Sequence, residues 1–374
     1  MRPRPVRLER LPEQYFSGLL ARVSAAAARD GEPLVDLGRG NPDVPPPAHV
    51  VEALARAAGR PDTHGYAPFA GLMTLKEAIA ARYRDVYGVD VDPAREVAVL
   101  PGSKTGLIEF AQVTTERGET IVLPDPGYPD YRSAVAIAAA EHAALPLDDD
   151  GRPDWDALPR DGAAALYLNY PSNPVAVCAP AGVFEQAIEW AARTGTWVLH
   201  DFAYGDLVFD GRRPQSFLAT EGAREVGLEL FSMSKSYGMA GWRLGFAIGN
   251  AELVARIEDL QNHVFAGVFM PVQEAGVAAL TGPQESVEER RALYEARRDR
   301  VLAALPGARS EGTFFVWLEL PDGVTCDALL DEQRVALAPG EGFGARGRGR
   351  ARLSLATPDD RLDLGLERLA AALR

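Results

Sequence analysis

The sequence predicts an α/β fold: a mixed, mostly parallel sheet sandwiched by helices, joined to a smaller α+β domain. Three observations predict it. Between Glu96 and about Gly249, short apolar runs alternate with segments of helical periodicity, as βα units require. The residues best suited to chemistry stand directly after those runs, where open α/β sheets bind ligands. Beyond about Leu305 the pattern changes to short strands interleaved with helices.

Residues 1 to about 35 are Pro-rich and Ala-rich and predict an N-terminal arm and helix lying on the rest, with Tyr15 and Phe16 as anchors. Leu37-Gly-Arg-Gly-Asn-Pro-Asp-Val-Pro-Pro-Pro47 is a cluster of chain breakers. It reads as a loop whose glycines, Gly40 among them, permit close backbone approach. A helix is expected from His49 to Ala58, a loop over Gly65–Gly71 and a helix from Thr74 to Tyr87.

The apolar runs Val97–Leu100, Thr120–Leu123, Ala165–Leu168, Trp197–His200, Leu228–Phe231 and Leu244–Ile248 are the expected strands, and Ser103–Thr115 and Gly182–Arg193 are helical between them. A long helical region follows from Ala251 to about Leu305, interrupted at Gly282-Pro283. The remainder reads as strand Thr313–Leu320, helix Cys326–Gln333, strands Val335–Ala338 and Arg350–Leu355, and helix Arg361–Leu373. The expected division is an arm and start of the small domain over 1–45, a large domain over 46–280 and a small C-terminal domain over 281–374.

Composition narrows the classes. With 374 residues, 47% hydrophobic and 25% charged, the chain has the make-up of a soluble globular enzyme. A formal charge of −14 argues against non-specific partnership with nucleic acid or an anionic membrane surface. Cys178 and Cys326 support neither a disulfide framework nor a zinc site, and the five histidines lack ligand spacing, so no metal is expected. The basic N-terminus has no apolar segment after it, and apolar runs such as Ala134–Ala140 fall short of a membrane span; a cytoplasmic protein is expected. The arginines from Arg346 to Arg352 read as a loop and strand end. Gly340-Glu-Gly-Phe-Gly344 lacks the βαβ context of a dinucleotide fingerprint.

Chemistry concentrates in Ser232-Met-Ser-Lys-Ser-Tyr-Gly-Met-Ala-Gly-Trp-Arg-Leu-Gly245. Lys235 offers an amine to a carbonyl, and neighbouring positive charge with partial burial favours its neutral form. Ser232, Ser234 and Arg243 suit a phosphate. Together these are the needs of pyridoxal phosphate. Asp201, at a strand end, can keep a pyridine nitrogen protonated. Tyr204 and Asn173 can hydrogen-bond the ring oxygen. Tyr128 can stack on the ring, although a core tyrosine has the same signature. Gly102-Ser103-Lys104, between a strand and a helix, offers backbone N–H groups to a phosphate.

On these motifs the chain resembles the fold-type-I pyridoxal-phosphate enzymes, and within them the class I/II aminotransferases. The resemblance runs from Leu34 to Leu373 through Leu37–Asp43, Gly102–Lys104, Asp125-Pro-Gly-Tyr-Pro129, Asn169-Tyr-Pro-Ser-Asn-Pro174, Asp201-Phe-Ala-Tyr204, the lysine stretch and Arg352-Leu-Ser-Leu-Ala356. It is most similar to the branch with diaminopimelate (LL- or N-succinyl-) and alanine aminotransferases. The resemblance implies an aspartate-aminotransferase-like large domain. It makes Lys235 the Schiff-base lysine, Asp201 the partner of the pyridine nitrogen, Asn173 and Tyr204 contacts of the ring oxygen, and Tyr128 the stacking residue. It places Gly102, Ser103, Lys104, Ser232, Ser234 and Arg243 around the phosphate. Arg352 matches the arginine that grips the substrate carboxylate, with Gly40 and Asn173 beside it. Tyr66 matches a residue that reaches the phosphate of the neighbouring subunit, implying a homodimer with shared active sites. Where many members continue Asn-Pro with Thr-Gly, this chain has Val175-Ala176, and a differently shaped turn is expected.

The implied reaction moves the amino group of an L-amino acid to a 2-oxo acid, 2-oxoglutarate or pyruvate, by a ping-pong mechanism. A lyase or cyclase on the same scaffold is the alternative, and a non-catalytic regulatory protein is a more distant one. Tyr15, Phe16, Phe69, Lys104 and Phe265 are the candidates for the side-chain pocket, and no arginine stands out as receptor for a distal carboxylate.

Overall fold

Apolar runs with no polar alternation become strands covered on both faces. In the computed structural model, which describes residues 5–29 and 31–373, β1 is Val35–Asp36, β2 Val97–Leu100, β3 Thr120–Asp125, β4 Glu141–Pro146, β5 Ala165–Leu168, β6 Trp197–Asp201, β7 Gly227–Ser232 and β8 Gly245–Gly249. Seven of these form one sheet in the order β2-β8-β7-β6-β5-β3-β4. β8 runs antiparallel to both its neighbours and every other pairing is parallel. The fold is the mixed, mostly parallel α/β sheet that the sequence predicts.

Successive side chains leave a strand on opposite faces, and two separate cores follow from that. On one face Ala98, Leu100, Leu199, Leu228 and Leu230 pack with Leu107 and Phe110 of helix Ser103–Thr114 and Leu253 and Ile257 of helix Ala251–Val264. On the other, Val97, Val99, Val198, Phe231 and Phe246 pack with Leu75 and Ile79 of helix Met73–Arg82 and Phe184 and Ala187 of helix Val183–Thr194. β4 was not expected from the sequence. It is the edge strand, pairs only with β3 and has exposed Glu141 and His142, so it lacks the apolar run that marks its neighbours.

The remaining strands are β9 Ala308–Arg309, β10 Phe315–Glu319, β11 Val335–Ala336, β12 Ala338–Pro339 and β13 Arg350–Ser354. Four of them make an antiparallel sheet ordered β12-β13-β10-β9. β1 pairs in parallel with β11, Val35 opposite Val335. An N-terminal strand is thereby built into the C-terminal core, where Leu37 packs with Leu353 and Leu366.

Boundaries differ from expectation for local reasons. The expected strand Val335–Ala338 divides at Leu337 between two sheets. The strand expected from Thr313 begins at Phe315, because Thr313 adopts φ 69° and gives its N–H to Leu207 O at 2.7 Å. The helix expected to reach Tyr87 is α-helical to Arg82 and continues as a π-helical turn over Tyr83–Tyr87, closed by Gly88 at φ 70°. The long C-terminal helical region has a second break, at Phe265–Phe269, between helices Ala251–Val264 and Met270–Thr281; Glu285–Ala304 follows the expected break. No helix among the described residues is long and apolar enough to cross a membrane.

Candidate active site

The carboxyl ends of the parallel strands open on a cavity of about 360 Å³. β7 ends at Ser232 and leads into the helical turn Met233–Ser236, which carries Ser234 and Lys235 into the cavity. β6 ends in Asp201, β5 leads to Asn169 and Asn173, β3 to Tyr128, and β2 to Gly102 and helix Ser103–Thr114. β8 arrives from the opposite direction. Gly245 at its start faces both Leu100 and Ser232, so Arg243 enters at the same edge. Gly102 has φ 89°, and a Cβ there would lie 2.3 Å from Arg243 Nη2; the close approach of backbone and guanidinium requires glycine.

One end of the cavity is a set of donors. The hydroxyls of Ser103, Ser232 and Ser234, the Arg243 guanidinium and the N-terminus of helix Ser103–Thr114 converge there. Lys104 lines the cavity, but its ammonium is ion-paired with buried Asp130 Oδ2 at 2.8 Å. Its backbone and its charge therefore face different partners.

In the middle lie Lys235 and Asp201. Burial, reinforced by the positive charges of Arg352 and Arg243 and opposed by Asp201, lowers the Lys235 amine to about 8. Its Nζ stands 5.1 Å from the Phe314 ring and 5.7 Å from the Tyr204 ring. Burial pushes the Asp201 carboxyl up, against hydrogen bonds from Tyr131 OH at 2.8 Å and Ala203 N–H at 3.3 Å. Asn169 Nδ2 donates to Asp201 O at 2.8 Å and Asn169 Oδ1 accepts the Asn173 N–H at 2.7 Å, which ties β5 and β6 together at this level.

Arg352, on β13, closes the other end. It donates from Nη1 to Asn173 Oδ1 at 2.8 Å and from Nη2 to Gly38 O at 3.2 Å, and its buried Nε has no partner. Its Cζ lies 3.8 Å from the Phe315 ring centroid, with Phe343 and Phe16 at 4.9 and 5.3 Å. Burial lowers its pKa to about 10, the counter-effect coming from tyrosines rather than from any carboxylate. A buried guanidinium without an acid partner is a receptor for an anion. Gly40 lies against it: a Cβ there would be 2.8 Å from the Phe315 ring and 3.5 Å from Arg352 Nη2.

The cavity thus brings together Lys235, Asp201, Tyr204, Ser103, Lys104, Tyr128, Asn173, Ser232, Ser234, Arg243, Gly40 and Arg352, with Gly102 adjoining it. Tyr66 stands apart, 87% exposed and outside the lining. Of the pocket candidates, Phe16 and Lys104 line the cavity, while Tyr15, Phe69 and Phe265 do not. Tyr15 instead anchors its helix, through OH to Pro339 O at 2.7 Å and an edge contact with Phe343. Sequence reasoning missed Tyr131 and Asn169, which hold Asp201 and Asn173. Asn169 was within reach as the first residue of its motif, but Tyr131 has no local signal.

Residues 32–369 match the family described as aminotransferase class I and II. The chain belongs to this family. It is 44% identical over 369 residues, covering 95% of this chain and 92% of the relative, to an L-glutamine–4-(methylsulfanyl)-2-oxobutanoate aminotransferase of Bacillus subtilis. It is 36% identical to an LL-diaminopimelate aminotransferase of Moorella thermoacetica, covering 98% and 97% of the two chains. Among solved structures, substrate-bound BacF of Bacillus subtilis superposes with a TM-score of 0.93 at 37% identity, covering 100% of this chain and 98% of that one. The chain is accordingly a pyridoxal-phosphate-dependent aminotransferase. The site fits that cofactor: a buried amine for the aldehyde, a buried carboxylate for the pyridine nitrogen, and hydroxyls, guanidinium and a helix N-terminus for the phosphate.

Proposed function

We propose that the protein moves the α-amino group of an L-amino acid to 2-oxoglutarate or pyruvate in two half-reactions at one site. The observation that carries this reading is a half-buried Lys235, its amine lowered to about 8, sharing a cavity with Asp201 and with an Arg352 that has no acid partner. Pyridoxal phosphate, when bound, supplies an electron sink for the electrons left at the substrate Cα. Asp201 would hold its pyridine nitrogen, Asn173 and Tyr204 its ring oxygen, and Tyr128 its ring. Gly102, Ser103, Lys104, Ser232, Ser234 and Arg243 would hold its phosphate, with Lys104 acting through its backbone.

The protein's own part is binding, orientation and proton movement. Arg352 grips the substrate carboxylate by its two outer nitrogens, and the aromatic faces around it keep water away from that pair. A fixed carboxylate sets the direction of the Cα–H bond. Lys235 Nζ would take the Cα proton as a base and return it as an acid. The same burial and positive charges that lower this amine in the cofactor-free protein favour its neutral, proton-accepting form.

A dimer belongs to the same proposal. Tyr66 is held outside its own cavity, and its loop, which exposes Tyr66 and Phe69, meets the segment that exposes Phe269, whose ring lies 6.1 Å from His64. Such a surface suits a second copy, which would bring Tyr66 to the partner's phosphate.

The test is a half-reaction. The yellow protein is mixed with single amino acids and no acceptor, while the visible band and the mass of the product are followed. Loss of the band with one equivalent of 2-oxo acid is expected. Repeated turnover to an oxo acid and ammonia without acceptor would mark a lyase and overturn the proposal.

A further inference from the structure

Helix Tyr15–Ala27 presents Phe16, Leu19, Leu20 and Val23 to the cavity. These positions follow the i, i+3, i+4, i+7 rule, so they form a single apolar stripe along one face. Leu19 and Val23 are buried at 5% and 8%, but Leu20 is 40% exposed. A leucine left that open on the wall of a cavity has apolar surface still to cover.

The stripe begins at the carboxylate receptor, since Phe16 lies under the Arg352 guanidinium at 5.3 Å. A substrate held by Arg352 therefore has this wall beside its side chain. We infer that the wall selects α-amino acids with uncharged aliphatic side chains, an inference that rests on the aminotransferase reading above.

The charged groups of the lining argue the same way. Lys104 is committed to Asp130, and Arg243 lies with the serine hydroxyls at the far end. Arg39 lines the cavity but is exposed, so a distal carboxylate there gains only a solvent-screened contact. Asp36, which could attract a distal ammonium, has Oδ1 occupied by the Gly38 N–H at 3.0 Å.

The decisive experiment measures kcat/KM for the series alanine, 2-aminobutyrate, norvaline and norleucine beside glutamate and 2,6-diaminopimelate, on protein loaded with pyridoxal phosphate. A rise of about threefold per methylene is expected from transfer of each group out of water. Glutamate and diaminopimelate should fall at least about tenfold below norleucine, an order that of the two proposed acceptors favours pyruvate. Titration calorimetry with hexanoate and glutarate, which lack the amino group and cannot react, should give the same order as dissociation constants. In Leu20→Glu the norleucine-to-alanine ratio should drop about tenfold. A flat series, a dicarboxylic substrate ahead of norleucine, or an unchanged ratio in the variant overturns the inference and leaves the aminotransferase reading standing. A visible band that responds to no amino acid overturns that reading instead.

Discussion

At the scale of single residues, burial of Lys235 has a thermodynamic consequence that can be separated from catalysis. The unfolded chain holds this proton up to about 10.5, whereas the folded protein without cofactor releases it near 8. Between those values the unfolded state binds more protons, so stability rises with pH through that window and is lowest below it. The cost below pH 8 is at most on the order of 3 kcal/mol, since each tenfold loss of proton affinity on folding is worth about 1.4 kcal/mol and the half-buried Lys235 keeps some contact with water in the cavity. Lys235→Met should abolish turnover and yet make the cofactor-free protein more stable near neutral pH, the gain fading as the pH approaches 10.5. Denaturant unfolding of both proteins at two pH values measures this. A difference that does not change with pH would refute the assignment.

Arg352 makes a contrasting case, because its loss should act on substrate. Arg352→Ala should raise the KM for amino acids by about a hundredfold, as expected for removal of a charged, buried hydrogen-bonding group worth about 3 kcal/mol. The cofactor's visible band should remain, since Arg352 closes the opposite end of the cavity from Ser232, Ser234 and Arg243. Normal amino-acid affinity in this variant would remove Arg352 from the site.

In the turn after Asn173, where Val175-Ala176 stands, Ala176 is buried and has φ 61°, a conformation that favours glycine. Its N–H still reaches Ser172 O at 2.9 Å and its carbonyl accepts Glu311 N–H at 2.7 Å. The turn is therefore closed with alanine in place of glycine, at some backbone strain. Ala176→Val should destabilise by about 2 kcal/mol or more, because a β-branched side chain tolerates positive φ poorly and has no room there. Equilibrium unfolding checks it; a neutral result would mean that the loop relaxes.

Among the elements, helix Glu285–Ala304 governs how the site is framed. Arg290, Tyr294 and Arg297 lie on one face of it. Arg290 donates to Ser236 O, Val44 O and Pro45 O at 3.1, 2.8 and 3.1 Å. Tyr294 and Arg297 hold the Asp43 carboxylate at 2.9 and 2.7 Å. The helix thus clamps the turn after Lys235 to the loop that carries Gly38 and Gly40. Arg290→Met should cost about 3 kcal/mol by leaving these carbonyls unpaired, and it should also shift the cofactor's absorption band through displacement of the lysine turn. Loss of stability with an unmoved band would show a purely structural clamp.

None of this clamp was legible in the sequence, which reports that the segment is helical and charged but not which charges are buried. The sheet was legible for the opposite reason. β2, β5 and β8 are covered on both faces, so each is written as an unbroken apolar run, and β7 is broken only by Glu229, whose buried carboxylate is held by Tyr83, His200 and Ser216. β4 was hidden because an edge strand needs no such run. The candidate site was readable wherever a motif is continuous along the chain, as at Ser232–Arg243. It was unreadable where partners meet only in space, as Tyr131 meets Asp201 and Phe343 meets Arg352.

At the scale of the whole molecule, Tyr66 of the proposed dimer joins one subunit to the site of the other. Its loop and the break at Phe265–Phe269 come together, since a Cβ at Gly267 would lie 3.3 Å from Ala67 Cβ, and between them they expose Tyr66, Phe69 and Phe269. In the proposed two-fold dimer each site takes Lys235 from one subunit and Tyr66 from the other. A hybrid of Lys235→Ala and Tyr66→Ala subunits then has one site with both changes and one with neither. Mixing equal amounts of the two variants, unfolding and reassembling them should restore about a quarter of the wild-type activity, the share expected when half of the randomly paired dimers carry one intact site of two. If Tyr66 serves its own chain, every hybrid site carries one defect. Activity after mixing would then not exceed the mean of the two variants, and the shared site would be excluded.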